Sequence, residues 1–414
     1  MRAAQRALRP AQRALGARAA QWRCLCSGGS VDRGGGVDVP ILSEHPANNV
    51  PAHVAARVGR NLHRQRAHPL HTIKSIIEEH FSEQAGGGAP FEVFDAMHPV
   101  VPVKNNFDDL LIPAAHVSRG PSDTYYVDDA HVLRTHTSAH QSTLLAAGHT
   151  RFLATGDVYR RDEIDSSHYP VFHQMEGVRV FEDHELPTGS REERVAAVEA
   201  DLKASLEGLA RKLYGLSEGS SMRWGDDYFP FTEPSFELEI KFEGRWLEVL
   251  GCGVVEQQIL RDAGHGEKLG WAFGLGLERL AMVLFGIPDI RLFWSEDDRF
   301  HKQFQAGRIT AFSPYSKYPP VFKDVSFWLP EAAADGTGAF HENDLFEHVR
   351  DVSGDLVEQV ALIDEFAHPK TGRVSHCYRT TYRSMDRTLT DVEVDALQQA
   401  TRDALTSELG VELR

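Results

Sequence analysis

Between Val195 and Leu216, apolar residues recur at steps of three and four: Val195, Val198, Leu202, Leu206, Leu209, Leu213 and Leu216. That spacing puts one apolar stripe on a long helix, which the pattern predicts as a packing element. A shorter helix is predicted over His71–Phe81. Period two replaces this spacing further on: Phe236, Leu238, Ile240 and Phe242 alternate with Glu237, Glu239 and Lys241, then a turn at Glu243-Gly244 leads into Trp246–Leu250. Alternation broken by a glycine turn predicts an antiparallel hairpin. From Phe91 to about Phe300 strand-like and turn-like stretches follow one another without a regular strand-helix-strand repeat. A doubly wound parallel sheet is therefore disfavoured and a mainly antiparallel α+β fold is expected.

Residues 40–68, punctuated by proline, read as an extended lead-in, and residues 308–320 as a linker. Beyond it the pattern changes. Val325–Leu329 and Val374–Tyr382 read as strands, and Val392–Leu405 as a helix. Asn343–Val352 and Val357–Leu362, around Gly354, show helical spacing. That order suits a small two-layer α/β sandwich.

Length and charge sharpen this outline. At 414 residues the chain calls for two domains plus flanking segments. With 42% hydrophobic and 25% charged residues it lies in the globular range. No run approaches the ~20 apolar residues needed to span a bilayer, so no membrane association is expected. Four cysteines are too few for a disulfide framework. The net charge of −16 is uneven: the first 30 residues carry six arginines, from Arg2 to Arg23, and no acid. An Arg-rich, acid-free, Ala-rich segment reads as a mitochondrial transit peptide over residues 1–30, a basic nucleic-acid arm being the alternative. Its removal takes the net charge to −22 and leaves Cys252 and Cys377, too few for a zinc cage without several histidines.

Two segments carry candidate chemistry. In the first, Gly156–Asp162 and Ser167–Gly177 flank a polar loop as two strands. On such a hairpin Arg160, Gln174 and Glu176 share a face, since alternate residues point the same way. Arginine suits a phosphate and the Gln/Glu pair suits an ammonium group. A surface salt-bridge ladder accounts for the same residues equally well. In the second, Gly270–Gly276 reads as a glycine-containing strand running into a helix with Leu277, Leu280, Ala281 and Leu284 inward and Arg279 one turn in. Glycines allow a ligand close approach and the guanidinium can cover a planar base, although packing alone also explains the join.

Taken together, these segments resemble motifs 2 and 3 of the class II aminoacyl-tRNA synthetases. Phe107–Pro113, His136–Gln141, Phe172–Glu176 and Tyr228–Pro234 resemble the phenylalanyl-tRNA synthetases in particular, in their single-chain mitochondrial form. The resemblance covers nearly all of residues 70–414. It implies an N-terminal extension over 31–69, a catalytic domain over 70–300, a linker over 301–316 and a ferredoxin-fold anticodon-binding domain over 317–414. ATP and Mg²⁺ are implied, with Arg160 holding the α-phosphate and the adenylation transition state. Phe172 and Arg279 are to sandwich the adenine, Ser167, His168 and Tyr169 to contact ATP and the tRNA end, and Glu248 to sit near ATP and its metal. His136, Ser138, Gln174 and Glu176 are to engage the amino and carboxylate groups of phenylalanine, with Ala139, His140 and Gln141 completing that edge and Met175 beside them. Phe229 and Phe231, two apart on a strand, are to meet the substrate ring, with Ala272 leaving room and Phe273 closing the wall. Ordinary edge-strand core is the other reading of Phe229-Pro230-Phe231.

The sequence departs from the family pattern at Arg160-Arg161-Asp162, where a shorter aspartate replaces the usual glutamate, and at a faint motif 1 over His98–Pro102, which points to a monomer. For an acidic chain to hold tRNA, local charge has to decide. Lys370, Arg373, Arg379, Arg383 and Arg387 against Asp386 alone, with Tyr378 and Tyr382 on one strand face, form the candidate tRNA surface, a solvated basic face being the alternative. The expected partners are L-phenylalanine, ATP and mitochondrial tRNA(Phe), in the mitochondrial matrix. Two rivals are an adenylating enzyme with another acceptor and a catalytically silent tRNA-binding paralogue.

Overall fold

A computed structural model describes residues 40–83, 89–217, 221–242, 244–314, 318–330 and 340–414. The arginine-rich segment 1–30 lies outside these residues, as do Glu243 and residues 315–317. Thirteen strands are assigned among the described residues: β1 Glu92–Phe94, β2 Val100–Pro102, β3 His131–Leu133, β4 Arg151–Tyr159, β5 Val171–Val180, β6 Met222–Phe229, β7 Thr232–Phe242, β8 Arg245–Val255, β9 Gly270–Gly276, β10 Val321–Trp328, β11 Val357–Ala367, β12 Val374–Tyr382 and β13 Glu412–Leu413. A seven-stranded sheet runs β1-β4-β5-β9-β8-β7-β6, antiparallel except for the β1–β4 pair. The antiparallel expectation therefore holds, and the hairpin predicted after Phe236 is β7–β8.

Three helices cover one face of this sheet: α1 Pro69–Glu83, α2 Arg191–Tyr214 and α3 Leu277–Phe285. The stripe from Val195 to Leu213 becomes the buried side of α2, with Val198, Leu202, Leu206 and Leu209 fully enclosed. Ser190 and Glu193 form a reciprocal capping box at its start, and Gly215 at φ 61° ends it, the left-handed turn that glycine takes without strain. The residues read as an extended lead-in are instead built into this core. Val50, Val54, Val58 and Leu62 are all buried, in or beside the short helical turns Ala52–Ala55 and Leu62–Arg64. Their four-residue spacing was the available signal, obscured by the prolines.

The C-terminal part is a second sheet, β11-β12-β10-β13, covered on one face by α4 Glu342–Ser353 and α5 Asp391–Glu408. Its core gathers Val325, Phe327, Leu345, Val349, Tyr378 and Leu405. The helical reading of Val357–Leu362 is overturned, since these residues belong to β11. Two irregularities in its pairing with β12, near Val357–Gln359 and Leu362–Asp364, break the period of two and mimic helical spacing. No helix among the described residues is long and apolar enough to cross a membrane.

Candidate active site

The face of the large sheet opposite α1–α3 carries the motif residues. Strand alternation and register put Phe172, Gln174 and Glu176 of β5 beside Gly276 and Gly274 of β9, with Gly251 of β8 next in line. The result is a floor with few side chains. Gly274 is exposed and an added Cβ would meet nothing, whereas one on Gly251 would lie 2.7 Å from Cζ of Phe229. Glu248 lies three positions from Gly251, an odd step that ordinarily changes face. An extra residue in β8, between the pairs Leu238–Leu250 and Glu239–Glu248, returns its side chain to the floor's side.

At the end expected to take the amino acid, Ser138 lies in the short helical turn Thr137–His140, which packs on β4 and β5, and His136 directly precedes it. Burial, aided by the Arg160 charge, pushes His136 down to about 3, so its imidazole is neutral. Both ring nitrogens are buried without a hydrogen-bond partner. Glu176 is 2% exposed, and burial pushes its carboxyl up to about 8, with Ser138 as an opposing hydrogen-bonding neighbour. Its Oε2 is also buried and unpartnered. Three orphaned polar atoms in one pocket are costly unless a ligand completes them.

The other wall is aromatic. Phe229 ends β6 and Phe231 lies in the tight turn where Phe229 pairs with Thr232. They do not share a strand face as expected; the turn folds them together, ring centroids 5.7 Å apart at 13°. Both are half-buried, Phe231 packing toward the cluster that contains Ala272 and Val255. Ala272 is on the pocket side as expected.

Several assigned residues lie elsewhere. Met175 and Phe273 are one step out of phase with the floor, so their side chains enter the opposite core, where Phe273 stacks on Phe81 at 5.2 Å. Ala139 packs with Val101 and Val132. His140 turns to Arg134 (Nη1 to Nε2, 2.9 Å), itself bound to buried Asp157, and Gln141 is buried at the start of the helix Gln141–Ala146.

At the end expected to take the nucleotide, the guanidinium of Arg160 stands 5.3 Å over the Phe172 ring and donates from Nε to Thr135 O (2.7 Å). Burial lowers its pKa from the ordinary arginine value, with Asp162 opposing. Arg279 is exposed and pairs with Glu248 at 3.2 Å. Thus the rings and charges meant for adenine and metal are partnered with one another: Phe172 with Arg160, Arg279 with Glu248. Glu237 faces Glu248, Asp227 and Glu239, and burial together with these charges raises its pKa. Carboxylates crowded against their own kind fit a hard divalent cation. Ser167 and His168 hydrogen-bond to Asp165 within their own loop. Tyr169 is not at this site: it stacks on Trp294 (5.8 Å) and donates to Asp355 of the C-terminal part (2.7 Å).

A residue that sequence reasoning missed ties the two motifs together. Glu278, 2% exposed, accepts from His173 N (2.8 Å) and faces His173 Nδ1 (2.6 Å), clamping β5 to the start of α3. Its position directly before Arg279 was the available signal.

The expected tRNA surface also changes. Tyr378 and Tyr382 do share a face, but it is the one under the helices, where both are buried. Arg379 forms a two-pronged pair with Asp324 (2.8 Å each), Arg373 pairs with Glu412 and Arg383 with Glu358. Lys370 is exposed in the β11–β12 turn. On the open face Trp328 and Phe366 lie 6.1 Å apart, with Arg373 5.0 Å over Trp328 and Arg414 over both rings.

Comparison with known proteins agrees with this fold. Residues 52–304 match the family described as tRNA synthetases class II core domain (F), and residues 316–414 match the ferredoxin-fold anticodon binding domain. A phenylalanine–tRNA ligase, chloroplastic/mitochondrial, of Arabidopsis thaliana is 54% identical over 375 residues, covering 90% of this chain and 84% of the relative. The mitochondrial phenylalanine–tRNA ligase of Mus musculus is 54% identical over 394 residues, with 88% and 86% covered. A phenylalanine–tRNA ligase alpha subunit of Acinetobacter baylyi is 40% identical over 252 residues, with 59% of this chain and 69% of the relative covered. With the catalytic core and the anticodon-binding fold on one polypeptide, and with identity to such relatives across most of its length, the chain belongs to the single-chain, mitochondrial-type phenylalanine–tRNA ligases.

Proposed function

We propose that the chain activates L-phenylalanine with ATP to phenylalanyl adenylate and passes the acyl group to the 3′-terminal adenosine of tRNA(Phe), as a monomer in the mitochondrial matrix. The observation that carries this reading is the pocket's polarity. Unpartnered His136 and Glu176 lie at one end of a glycine floor and the Phe229–Phe231 stack at the other. An amino acid with an apolar ring is the complementary ligand. Its ammonium group satisfies Glu176, and its ring extends the aromatic stack.

In the reaction the carboxylate oxygen of phenylalanine attacks the α-phosphorus and pyrophosphate leaves. Arg160, desolvated and steadied by Thr135 O and Phe172, supplies fixed positive charge where negative charge develops. Arg279 exchanges Glu248 for the nucleotide; an exposed pair of this kind is worth about 0–1 kcal/mol and opens readily. Glu248 and Glu237 would hold Mg²⁺, which when bound would supply charge neutralisation on the phosphates. Positioning carries the chemistry without a protein nucleophile. Trp328 and Phe366, with Arg373 and Arg414, offer a stacking platform for unpaired bases of the tRNA. Exposed Lys370 supplies a backbone contact beside it, the charges of Arg379 and Arg383 being held by Asp324 and Glu358.

Phenylalanine-dependent exchange of pyrophosphate into ATP, with and without Arg160→Ala, followed by tRNA charging, tests the reading. Exchange without charging would leave an adenylating enzyme with another acceptor; no exchange would leave a silent paralogue.

A further inference from the structure

Outside the catalytic pocket, a small open recess lies in the seam between the two sheets. Its walls come from the N-terminal turn with Arg57, the β4–β5 loop with Asp165 and His168, and α4 with Arg350. Arg350 is 6% exposed. Its Nη2 donates to the main-chain oxygens of Asp162 and Glu163, while Nη1 is buried with no partner. Among the described residues no carboxylate pairs with it. Other buried arginines here do have one: Arg134 pairs with Asp157 and Arg291 with Asp289. Across the recess Arg57 pairs with Asp355 (2.6 Å) and keeps a buried, unpartnered Nε.

A buried guanidinium whose Nη1 has no partner in contact is expensive even with the Glu347 carboxylate in its field, and a neutral water satisfies its hydrogen but not its charge. Of the three arginines lining the recess, Arg57 pairs with Asp355 and Arg291 with Asp289, whereas Arg350 is held by main-chain oxygens. His53 and His168 beside it are each held above the ordinary imidazole range by carboxylates that already pair with them, Glu347 and Asp351 for His53 and Asp165 for His168.

We propose that this seam is a binding site for a small tetrahedral oxyanion of the phosphate or sulfate class, gripped by Arg350 and Arg57. Because its ligands come from both parts of the molecule, the bound anion stabilises their docking by mass action. The proposal is independent of the ligase reading.

Calorimetric titration of the full chain with inorganic phosphate, at constant ionic strength, tests it. Saturable binding is expected, weakened at least about tenfold in Arg350→Met, the loss of a charge-assisted contact, and retained in Arg279→Ala. Binding that survives Arg350→Met and disappears in Arg279→Ala places the anion in the catalytic pocket and overturns the proposal, as does the absence of saturable binding in the unaltered protein. Should Arg350→Met fail to fold, crystals of the unaltered protein soaked in selenate decide. Anomalous density beside Arg350 supports the site, and density elsewhere or none removes it.

Discussion

The two ends of the proposed catalytic pocket are built on opposite principles. At the amino-acid end, His136 and Glu176 are buried with polar atoms that nothing in the described protein satisfies. At the proposed nucleotide end, Arg160 rests on Phe172 and Arg279 on Glu248, so each proposed ligand contact is occupied by a neighbour. The first end keeps its binding free energy as unmet hydrogen bonds in a low dielectric, and suits a small substrate that must be told from others of its kind. The second exchanges one partner for another and suits a large, charged nucleotide arriving with its own ions.

If that contrast holds, Arg160→Ala has the largest effect. Pyrophosphate exchange should fall about 10³-fold, the scale of losing one preorganised charge in a transition state. Next comes Glu176→Gln, with a loss of about 10²-fold in phenylalanine-dependent exchange, a charge-assisted contact to the ammonium group. It carries a signature the nucleotide end lacks. The Glu176 carboxyl has an ordinary value of 4.5 and lies at about 8 when folded. Between these the folded protein holds a proton that the unfolded chain has released, so the empty enzyme loses stability as pH rises from 4.5 toward 8. Glu176→Gln should therefore raise the Tm of the empty protein at pH 8 and hardly at pH 5, as calorimetry reads. By the same linkage, phenylalanine binding should release a proton and tighten from pH 6.5 to about 8. A pH-independent affinity would erase the distinction between the two ends.

Effects should shrink where partners already exist. Glu248→Gln should leave Tm unchanged, since an exposed pair is worth about 0–1 kcal/mol, while raising the ATP and Mg²⁺ concentrations needed for half-maximal exchange. On the C-terminal sheet, Trp328→Ala should raise the KM for tRNA about tenfold, a typical loss for one stacked base. Arg379→Ala, whose charge Asp324 already neutralises, should change it less than about twofold. A larger effect of Arg379 than of Trp328 would restore the reading from charge alone.

Much of the site is legible in the chain because local rules carry it. Gln174 and Glu176 are two apart on one strand and face the same way whatever surrounds them. Arg279 follows the strand of glycines into a helix with inward leucines. The misassignments have equally definite causes. Met175, Phe273 and Ala139 lie in runs that resemble the family's pocket, but the pleat or turn directs their side chains into core. Tyr169 belongs to a motif loop whose end is captured by Trp294 and Asp355. The basic stretch 370–387 looks unopposed when read along the chain, because Asp324, Glu358 and Glu412 reach it from other strands.

The amino-acid sequence by itself determined the antiparallel catalytic sheet, the helix Arg191–Tyr214, and the placing of Arg160, Gln174, Glu176 and Arg279 on chemistry-bearing motifs. Periodicity and neighbour spacing are local, and they survive whatever the rest of the chain does. Only the tertiary structure decided which charges are neutralised, which polar atoms are left without partners, and which aromatics face solvent. Those properties depend on distances between residues far apart in sequence: an inserted residue in β8 turns Glu248 toward Arg279, and burial holds Glu176 near 8.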